Sequence, residues 1–448
     1  MAVTRAIPTF QGPVASRSGR LPEPVAFYLL ASIVLFFLAG SAAPTPLYAR
    51  YQAEWHFSPI TTTVVFGVYA LAVLTALLIF GSLSDHIGRR PVLLAAIGVQ
   101  AATMLVFASA NGVPALVAAR IVQGLATGAA LGAIGAAMLD LDKAKGTIAN
   151  AVAPMTGSAT GAIGAGVLVQ FLPAPTRLVY LVLFGIFVVQ AIGVALMAET
   201  SPPTQSPTKL SAVASLRPEF GVPPAVRRPM AVAVPALVAV WALAGFYGSL
   251  SPAIVRIVVG SASPILAATP FAALAASAAL AVFALRAMTP RFVMTFGLAA
   301  LIAGVGVSVL ATDHRSVIAF FAGTVLAGIG MGSGFQGAIR TVVPLAEPHE
   351  RAGVLSVAFV VSYLALGVPA VIAGYLVVHD GGVVRTAREY GLAVIALAAI
   401  ALLGMARRAR ATVSQPDRRP AQSSVAVRTT PRITHPAVEP VRGGCSNP

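Results

Sequence analysis

Charge is scarce in this chain. Only 10% of its 448 residues are Asp, Glu, Lys or Arg, against about 25% in soluble globular proteins. Acids are scarcer still, 14 against 30 Lys and Arg, and none falls in the middle of an apolar run. The six histidines also lie in loops or tails. A single cysteine, Cys445, excludes a disulfide pair, a thiolate metal cluster and dithiol redox chemistry. The apolar runs carry no H-E-x-x-H, no paired acids and no Ser/His dyad, which argues against a membrane-embedded enzyme. No G-x-x-x-x-G-K-[ST] is present, so direct ATP drive has no phosphate cradle. Ten-residue segments of alternating hydrophobicity are missing as well, which excludes a closed transmembrane barrel.

Apolar length is what the chain has. Hydrophobic residues make up 57% of it, and a run of roughly 20 is what a helix needs to cross about 30 Å of hydrocarbon. Twelve runs meet that need: 26–47, 60–83, 92–110, 113–139, 148–172 and 178–197, then 230–250, 264–285, 292–311, 317–339, 352–378 and 390–406. The last is short, and the apolar remnant Ile257 to Gly260 could extend either neighbour. Proline and glycine within the runs are tolerated in membranes, where neighbouring helices satisfy the backbone groups they release. The fold class expected is an all-α membrane protein of twelve transmembrane helices.

A net charge of +16 invites a nucleic-acid partner, but the placement of the cations speaks for lipid instead. Alternate links, from Arg89 and Arg90 to Arg340 and Arg351, carry about twice as many Lys and Arg as the links holding Arg50, Arg177, Arg256, Arg315, Arg385 and Arg388. The cation-rich side is the cytoplasmic one by the positive-inside rule. Both termini are therefore expected in the cytoplasm, with the chain in the plasma (inner) membrane. The first run exceeds a signal-peptide core of about 7 to 15 residues, so it is expected to stay as a span.

Residues 1–24 and 409–448 are rich in Pro, Arg, Ser and Thr and are expected as disordered cytoplasmic tails. The stretch 199–229 is similarly polar and proline-rich and divides the spans into 25–198 and 230–408, six in each. A shift of about 205 residues aligns these halves: Leu38, Ala39 and Gly40 fall on Leu243, Ala244 and Gly245, and Ser58, Pro59 and Ile60 fall on Ser263, Pro264 and Ile265. Gly124 and Gly128 fall on Gly328 and Gly332 at a shift of 204. Two pseudo-symmetric six-helix bundles of this kind place a binding site between them near the midplane, where rocking can alternate access.

Between the second and third spans the chain reads Gly81, Ser82, Leu83, Ser84, Asp85, His86, Ile87, Gly88, Arg89, Arg90, Pro91. This resembles the signature loop of the major facilitator superfamily, G-x-L-x-D-R-x-G-R-[KR], with His86 where Arg or Lys is usual. The glycines permit a tight turn, and Asp85 can accept hydrogen bonds from a helix N-terminus or an arginine. Arg89 has Asp140 and Asp142 as candidate partners. The resemblance implies a conformational latch, made of Gly81, Asp85, Gly88, Arg89 and Arg90, that holds the halves together on the cytoplasmic side. The equivalent link of the second half, around Arg286, Thr289, Pro290 and Arg291, lacks the acid and the glycines.

Arg120, Gln123 and Gly124 in the fourth span resemble the R-x-x-Q-G signature of proton-coupled members. Arg120 is the one charge well inside a span, where charge is costly and usually functional. It is read as a fixed positive centre that binds an anionic substrate or lowers the pKa of a nearby acid, against a snorkelling residue. Gly157, Gly161, Gly164 and Gly166 in the fifth span look like a degraded antiporter signature, with Ala162 and Ala165 at two of its key positions; small residues at such spacing also permit close helix packing. The candidate acids for proton coupling are Glu54, Asp85, Asp140 and Asp142, all near an interface.

The resemblance implies that spans one, four, seven and ten surround a central cavity, with Tyr48, Gln123, Trp241, Phe246, Tyr247 and Gln336 as candidate lining residues. Pro44, Pro46 and Pro252 are expected to kink spans one and seven at matching places. A monomeric exporter of small amphipathic or hydrophobic compounds is the expected function. Its partners are a small-molecule substrate and the bilayer, with protons as the candidate coupling ion and no cofactor or metal. The alternatives are an uptake permease of the same fold and, from another class, a non-transporting receptor or enzyme.

Overall fold

The structure is a computed structural model that describes residues 21–81, 83–201 and 221–413, with side chains through Arg408. Most of the expected tails, most of the linker, and Ser82 of the turn lie outside the described residues. The chain divides into two units, Met1–Met405 and Ala406–Pro448. Of the second, only the helical stretch through Val413 is described.

Among the described residues, twelve helices are long and apolar enough to cross a membrane. They are α1 (Glu23–Ala42), α2 (Pro59–Phe80), α3 (Arg89–Ala108), α4 (Val113–Leu141), α5 (Lys143–Phe171) and α6 (Pro175–Leu196), followed by α7 (Pro224–Val258), α8 (Pro264–Ala284), α9 (Pro290–Asp313), α10 (Val317–Val342), α11 (Arg351–His379) and α12 (Gly382–Val413). Seven of them carry proline in the first turn, where the missing N–H would have had no helical acceptor. That preference moves several boundaries away from hydropathy. Pro24 lets α1 start at Glu23 within the expected tail, and Pro224 lets α7 start inside the expected linker. The first span continues past Ala42 through a 3-10 turn at Thr45–Leu47 into a short helix, Tyr48–Trp55. Of the apolar remnant Ile257 to Gly260, Ile257 and Val258 join α7, which runs on to Val258 through Pro252. The last span is not short: α12 begins at Gly382, eight residues before the expected start, and passes the expected end to Val413.

Each half has its own apolar core. One cluster runs from Ala26 to Met197 and a second from Val226 to Ala401. Lipid tails are as apolar as leucine, so helices in a membrane associate through close approach rather than through expulsion of water. Glycine supplies that approach at equivalent places. A methyl on Gly124 of α4 would lie 2.6 Å from Ala72 Cβ and 2.7 Å from the Tyr69 carbonyl of α2. In the second half Gly328 of α10 presses in the same way on Leu274 and Ser277 of α8, which are Tyr69 and Ala72 advanced by 205 positions. Gly128 on Val73 is repeated by Gly332 on Ala278.

The same shift relates the two seams where the halves meet. At one, Gly67 of α2 faces Gly367 of α11, with 3.5 Å between a methyl built on Gly67 and the Gly367 carbonyl. At the other, Ala162 of α5 packs with Ala268 and Ala272 of α8 and with Ala42. Advancing Gly67 and Ala162 by 205 gives Ala272 and Gly367, so the seams are images of one another.

Gly124→Ala is expected to lower the thermal unfolding midpoint in detergent by the equivalent of about 1–3 kcal/mol through overpacking. Gly98→Ala, whose methyl would meet nothing within 4 Å, is expected to be neutral or to gain about 0.5–1 kcal/mol from helix propensity. Equal midpoints for the two variants would contradict the close approach of α4 to α2.

Candidate functional site

The turn between α2 and α3 folds around Arg89. Gly81 ends α2 beside α4, where a methyl on Gly132 would come within 3.2 Å of the Gly81 carbonyl. The short helix Leu83–Ile87 follows, and Gly88 then takes φ 95°, a conformation that side chains disfavour. Arg89 Nη1 donates to Ser84 Oγ at 2.7 Å and to the Asp85 carboxylate, and its Nε donates to Asp140 Oδ2 at 3.4 Å. Of the two candidate partners at the end of α4, Asp140 is the one that engages. Asp142 caps α5 instead, accepting from the Lys145 N–H at 2.9 Å and pairing with its ammonium at 3.1 Å. The backbone hydrogen bond from Lys145 and the bond from its side chain hold the Asp142 carboxyl below its ordinary range. The cap therefore persists as pH falls through the usual aspartate range and is lost only below it.

Glu199, which composition assigns to the linker, is part of this site. Its carboxylate accepts the Arg89 N–H at 2.9 Å and the Arg90 N–H at 3.0 Å, so it caps α3 from the far end of α6. It also accepts from the Thr200 N–H at 3.1 Å, while the Arg90 guanidinium donates to the Ala195 carbonyl. A methyl on Gly88 would come 2.9 Å from Glu199 Oε2, so the glycine also makes room for the carboxylate. Sequence rules for caps search within three residues of a helix start; a cap from more than a hundred residues downstream leaves no local signal. These polar partners all belong to the first half and tie α2, α3, α4 and α6 together.

Arg120 lies elsewhere, inside the first half, and is 0% exposed, the largest fully buried side chain among the described residues. It therefore does not snorkel. Gly124 and Gly128 bring α4 against α2, which sets Arg120 about a turn away among α1, α2 and α3. Its Nη1 donates to the Ser41 carbonyl at 2.9 Å and to Gln123 Oε1 at 2.8 Å, and its Nη2 donates to the Tyr48 hydroxyl at 2.6 Å. The rings of Tyr69, Tyr48 and Phe107 stand 5.2, 5.9 and 5.9 Å from the guanidinium carbon. Gln123 in turn donates to the Gly40 carbonyl at 3.1 Å. Every hydrogen-bond partner is neutral, and among the described residues no carboxylate makes a salt bridge to Arg120. An unbalanced charge at this depth costs on the order of 3 kcal/mol by membrane-insertion scales.

The other candidate residues separate. Gly157 and Gly161 press on Leu35 and Ala39 of α1, Gly166 lies 3.1 Å by its built methyl from Ile265 Cα of α8, and Gly164 faces open space. Three of the four therefore mark close helix approach. Tyr48 belongs to Arg120. Trp241 packs on Phe335 and Tyr363, with ring centroids 5.6 and 5.0 Å away, beside the seam cluster of Phe66, Tyr69 and Leu366. Phe246 and Tyr247 line a cavity of about 30 Å³ inside the second half, with Ser308, Phe320 and Tyr390, which is room for one water. Gln336 donates to the Val282 carbonyl of α8 at 3.2 Å. These five side chains do not converge on one pocket in this conformation. No group of three or more His, Cys, Asp or Glu among the described residues is arranged to hold a metal.

Twelve apolar helices in two matching sixes, joined along two small-residue seams, define a polytopic membrane protein built like a transporter. The sequence pattern of the Major Facilitator Superfamily matches residues 28–311, and the chain belongs to that superfamily. Over 103 residues it is 31% identical to Multidrug resistance protein D of Escherichia coli (strain K12); the match covers 22% of this chain and 26% of that protein, so the chain spans about a quarter of that relative's length. Among solved structures, a bacterial homologue of the human lysosomal transporter Spinster, inward-facing and unoccupied, aligns with TM-score 0.65 at 14% identity, covering 86% of this chain and 95% of the other. A point mutant of the nucleoside transporter NupG aligns at 0.63 and 12%, covering 86% and 99%. The human organic anion transporter MFSD10 aligns at 0.59 and 18%, also covering 86% and 99%.

Replacing Glu199 with Ala is expected to remove about 1 kcal/mol of capping and to speed amide hydrogen exchange at Arg89 and Arg90 roughly fivefold at the same energy. Unchanged exchange at those two amides would show that the carboxylate does not cap α3.

Proposed function

We propose that this chain is a secondary transporter that exports small amphipathic or hydrophobic compounds by alternating access. It works as a monomer in the plasma (inner) membrane with both termini cytoplasmic, and protons are the candidate coupling ion. The observation that carries this reading is where the halves bridge through polar groups. Pro252 in α7 has no N–H to give the Gly248 carbonyl one helical turn before it, and that carbonyl accepts instead from Thr45 Oγ1 of the first half at 3.3 Å. Gln170 at the end of α5 accepts from Ser263 Oγ at 2.6 Å at the start of α8. Both bridges lie at the end of the helices opposite the Gly81 to Pro91 turn. Two neutral hydrogen bonds contribute about 1 kcal/mol each, small enough for a bound substrate to shift the balance between an open and a closed end.

Export is supported by the stretch similar to Multidrug resistance protein D and by the R-x-x-Q-G pattern at Arg120. The loop around Arg89 supports a switching role: Asp85 is 55% exposed on its side chain and stands at the same end as the start of α11. The acids available for proton coupling sit at helix ends, with Glu54 paired to Arg50 at 2.7 Å and Asp140 to Arg89. The competing reading, an uptake permease, shares the loop pattern and differs in direction.

Cells that express the chain are expected to accumulate less of a fluorescent amphipathic dye than cells without it. Asp85→Asn is expected to abolish most of the difference while inserting normally. Greater accumulation would establish uptake. Equal accumulation across a dye panel, with no flux in proteoliposomes under an imposed pH gradient, would overturn the transporter reading.

A further inference from the structure

Two polar groups beside the buried cation are idle. Arg120 spends its Nη atoms on neutral acceptors, and its Nε has no hydrogen-bond partner. Gln100 of α3, also 0% exposed, has neither amide atom paired. Both converge on one turn of α1. Arg120 holds the Ser41 carbonyl, and a methyl on the adjacent Gly40 would lie 3.4 Å from Gln100 Nε2 and 3.7 Å from Gln123 Nε2. Unused N–H donors next to an unbalanced positive charge are the chemistry that receives an anion. A water could satisfy the donors but would leave the charge.

We infer that Arg120 and Gln100 form a recognition site in the first half for the anionic group of an amphipathic molecule, a carboxylate or comparable oxyanion. Of the two roles open to a buried arginine here, holding down the pKa of an acid needs an acid beside it, and none of the described carboxylates pairs with Arg120. Anion recognition needs only what is present. Aromatic rings flank the site. Tyr48 belongs to the segment that bridges to the second half through Thr45, and Tyr69 packs in the seam cluster with Tyr363 and Leu366 of α11. Tyr69 therefore touches both the guanidinium and the seam, and Tyr48, three residues from the Thr45 bridge, ties that segment to the guanidinium. Tyr69, Phe66, Tyr363 and Trp241 then offer an apolar and aromatic wall for the body of the molecule. As a statement of substrate class this rests on the transporter reading; as a statement of binding it does not.

The test uses the full chain purified in detergent, with benzoate, 2-naphthoate and 1-pyrenebutyrate, each beside its primary amide. At least one carboxylate is expected to raise the unfolding midpoint by a few degrees, about the shift that ligand near 100 times its Kd gives a chain of this size, while its amide does not. Arg120→Gln is expected to lose this response and to unfold at the same or a higher temperature without ligand, because an unbalanced buried charge has been removed. Gln100→Leu is expected to weaken the response about tenfold in concentration and keeps the test open should Arg120→Gln fail to fold. Amides stabilising as well as acids, no carboxylate stabilising at all, or an undiminished response in Gln100→Leu would each overturn the proposal. Flux of the stabilising carboxylate into proteoliposomes is read separately. Binding without flux counts against the transporter reading and leaves the anion site standing, whereas flux of neutral dyes with no anion response removes the site alone.

Discussion

Hydrocarbon withholds from helices the force that packs them in water, so in a bilayer two helices hold together through close backbone approach, side-chain packing and hydrogen bonds. The rest of this structure depends on that constraint. Within each half, Gly124 and Gly128, or Gly328 and Gly332, bring one helix directly onto the backbone of another, and each half closes around its own core. Between the halves the backbones come closest where small residue meets small residue, Gly67 with Gly367 and Ala162 with Ala272, and beside the first of these Phe66 and Tyr69 pack on Tyr363 and Leu366. Each half keeps its own buried core apart from these seams.

The second constraint is that every polar group placed in this setting needs a partner. The chain meets it by long-range pairing. A proline leaves a carbonyl without its helical donor, and a threonine on the other half supplies one. The first donors of α3 are met by a carboxylate at the far end of α6. Arg120 and Gln100 depart from this together: the guanidinium has neutral partners only and a free Nε, and neither amide atom of Gln100 is paired. A buried charge left without a counter-charge beside idle donors is the kind of feature that a ligand completes.

The twelve spans, the repeat and the Gly81 to Pro91 turn were legible in the sequence because each depends on a residue property that does not require knowing neighbours: apolar length, glycine at fixed spacing, charge at a turn. The extents of α1, α7 and α12 were less so, since proline in a first turn and polar residues at a helix end extend a helix beyond its hydropathic core. Glu199 left no local sign. Pro252 lies inside α7 and leaves the Gly248 carbonyl without its helical donor, and the partner it finds on Thr45 has no local sign in the sequence. Tyr48, Trp241, Phe246, Tyr247 and Gln336 were chosen by type and span, but which way a helix faces is set by its neighbours, and they scatter among separate environments.

Alternating access, as proposed, requires the two halves to exchange contacts at opposite ends of the same seams. Its most direct measurement is a pair of spin-label distances in proteoliposomes, one between positions 172 and 262 at the end bearing Gln170 and Ser263, the other between positions 139 and 345 at the end bearing the Arg89 turn. Reciprocal change is expected: a population in which the first distance lengthens as the second shortens, redistributed by substrate or pH. Single fixed distances at both ends under every condition, or two distances that lengthen together, would contradict it.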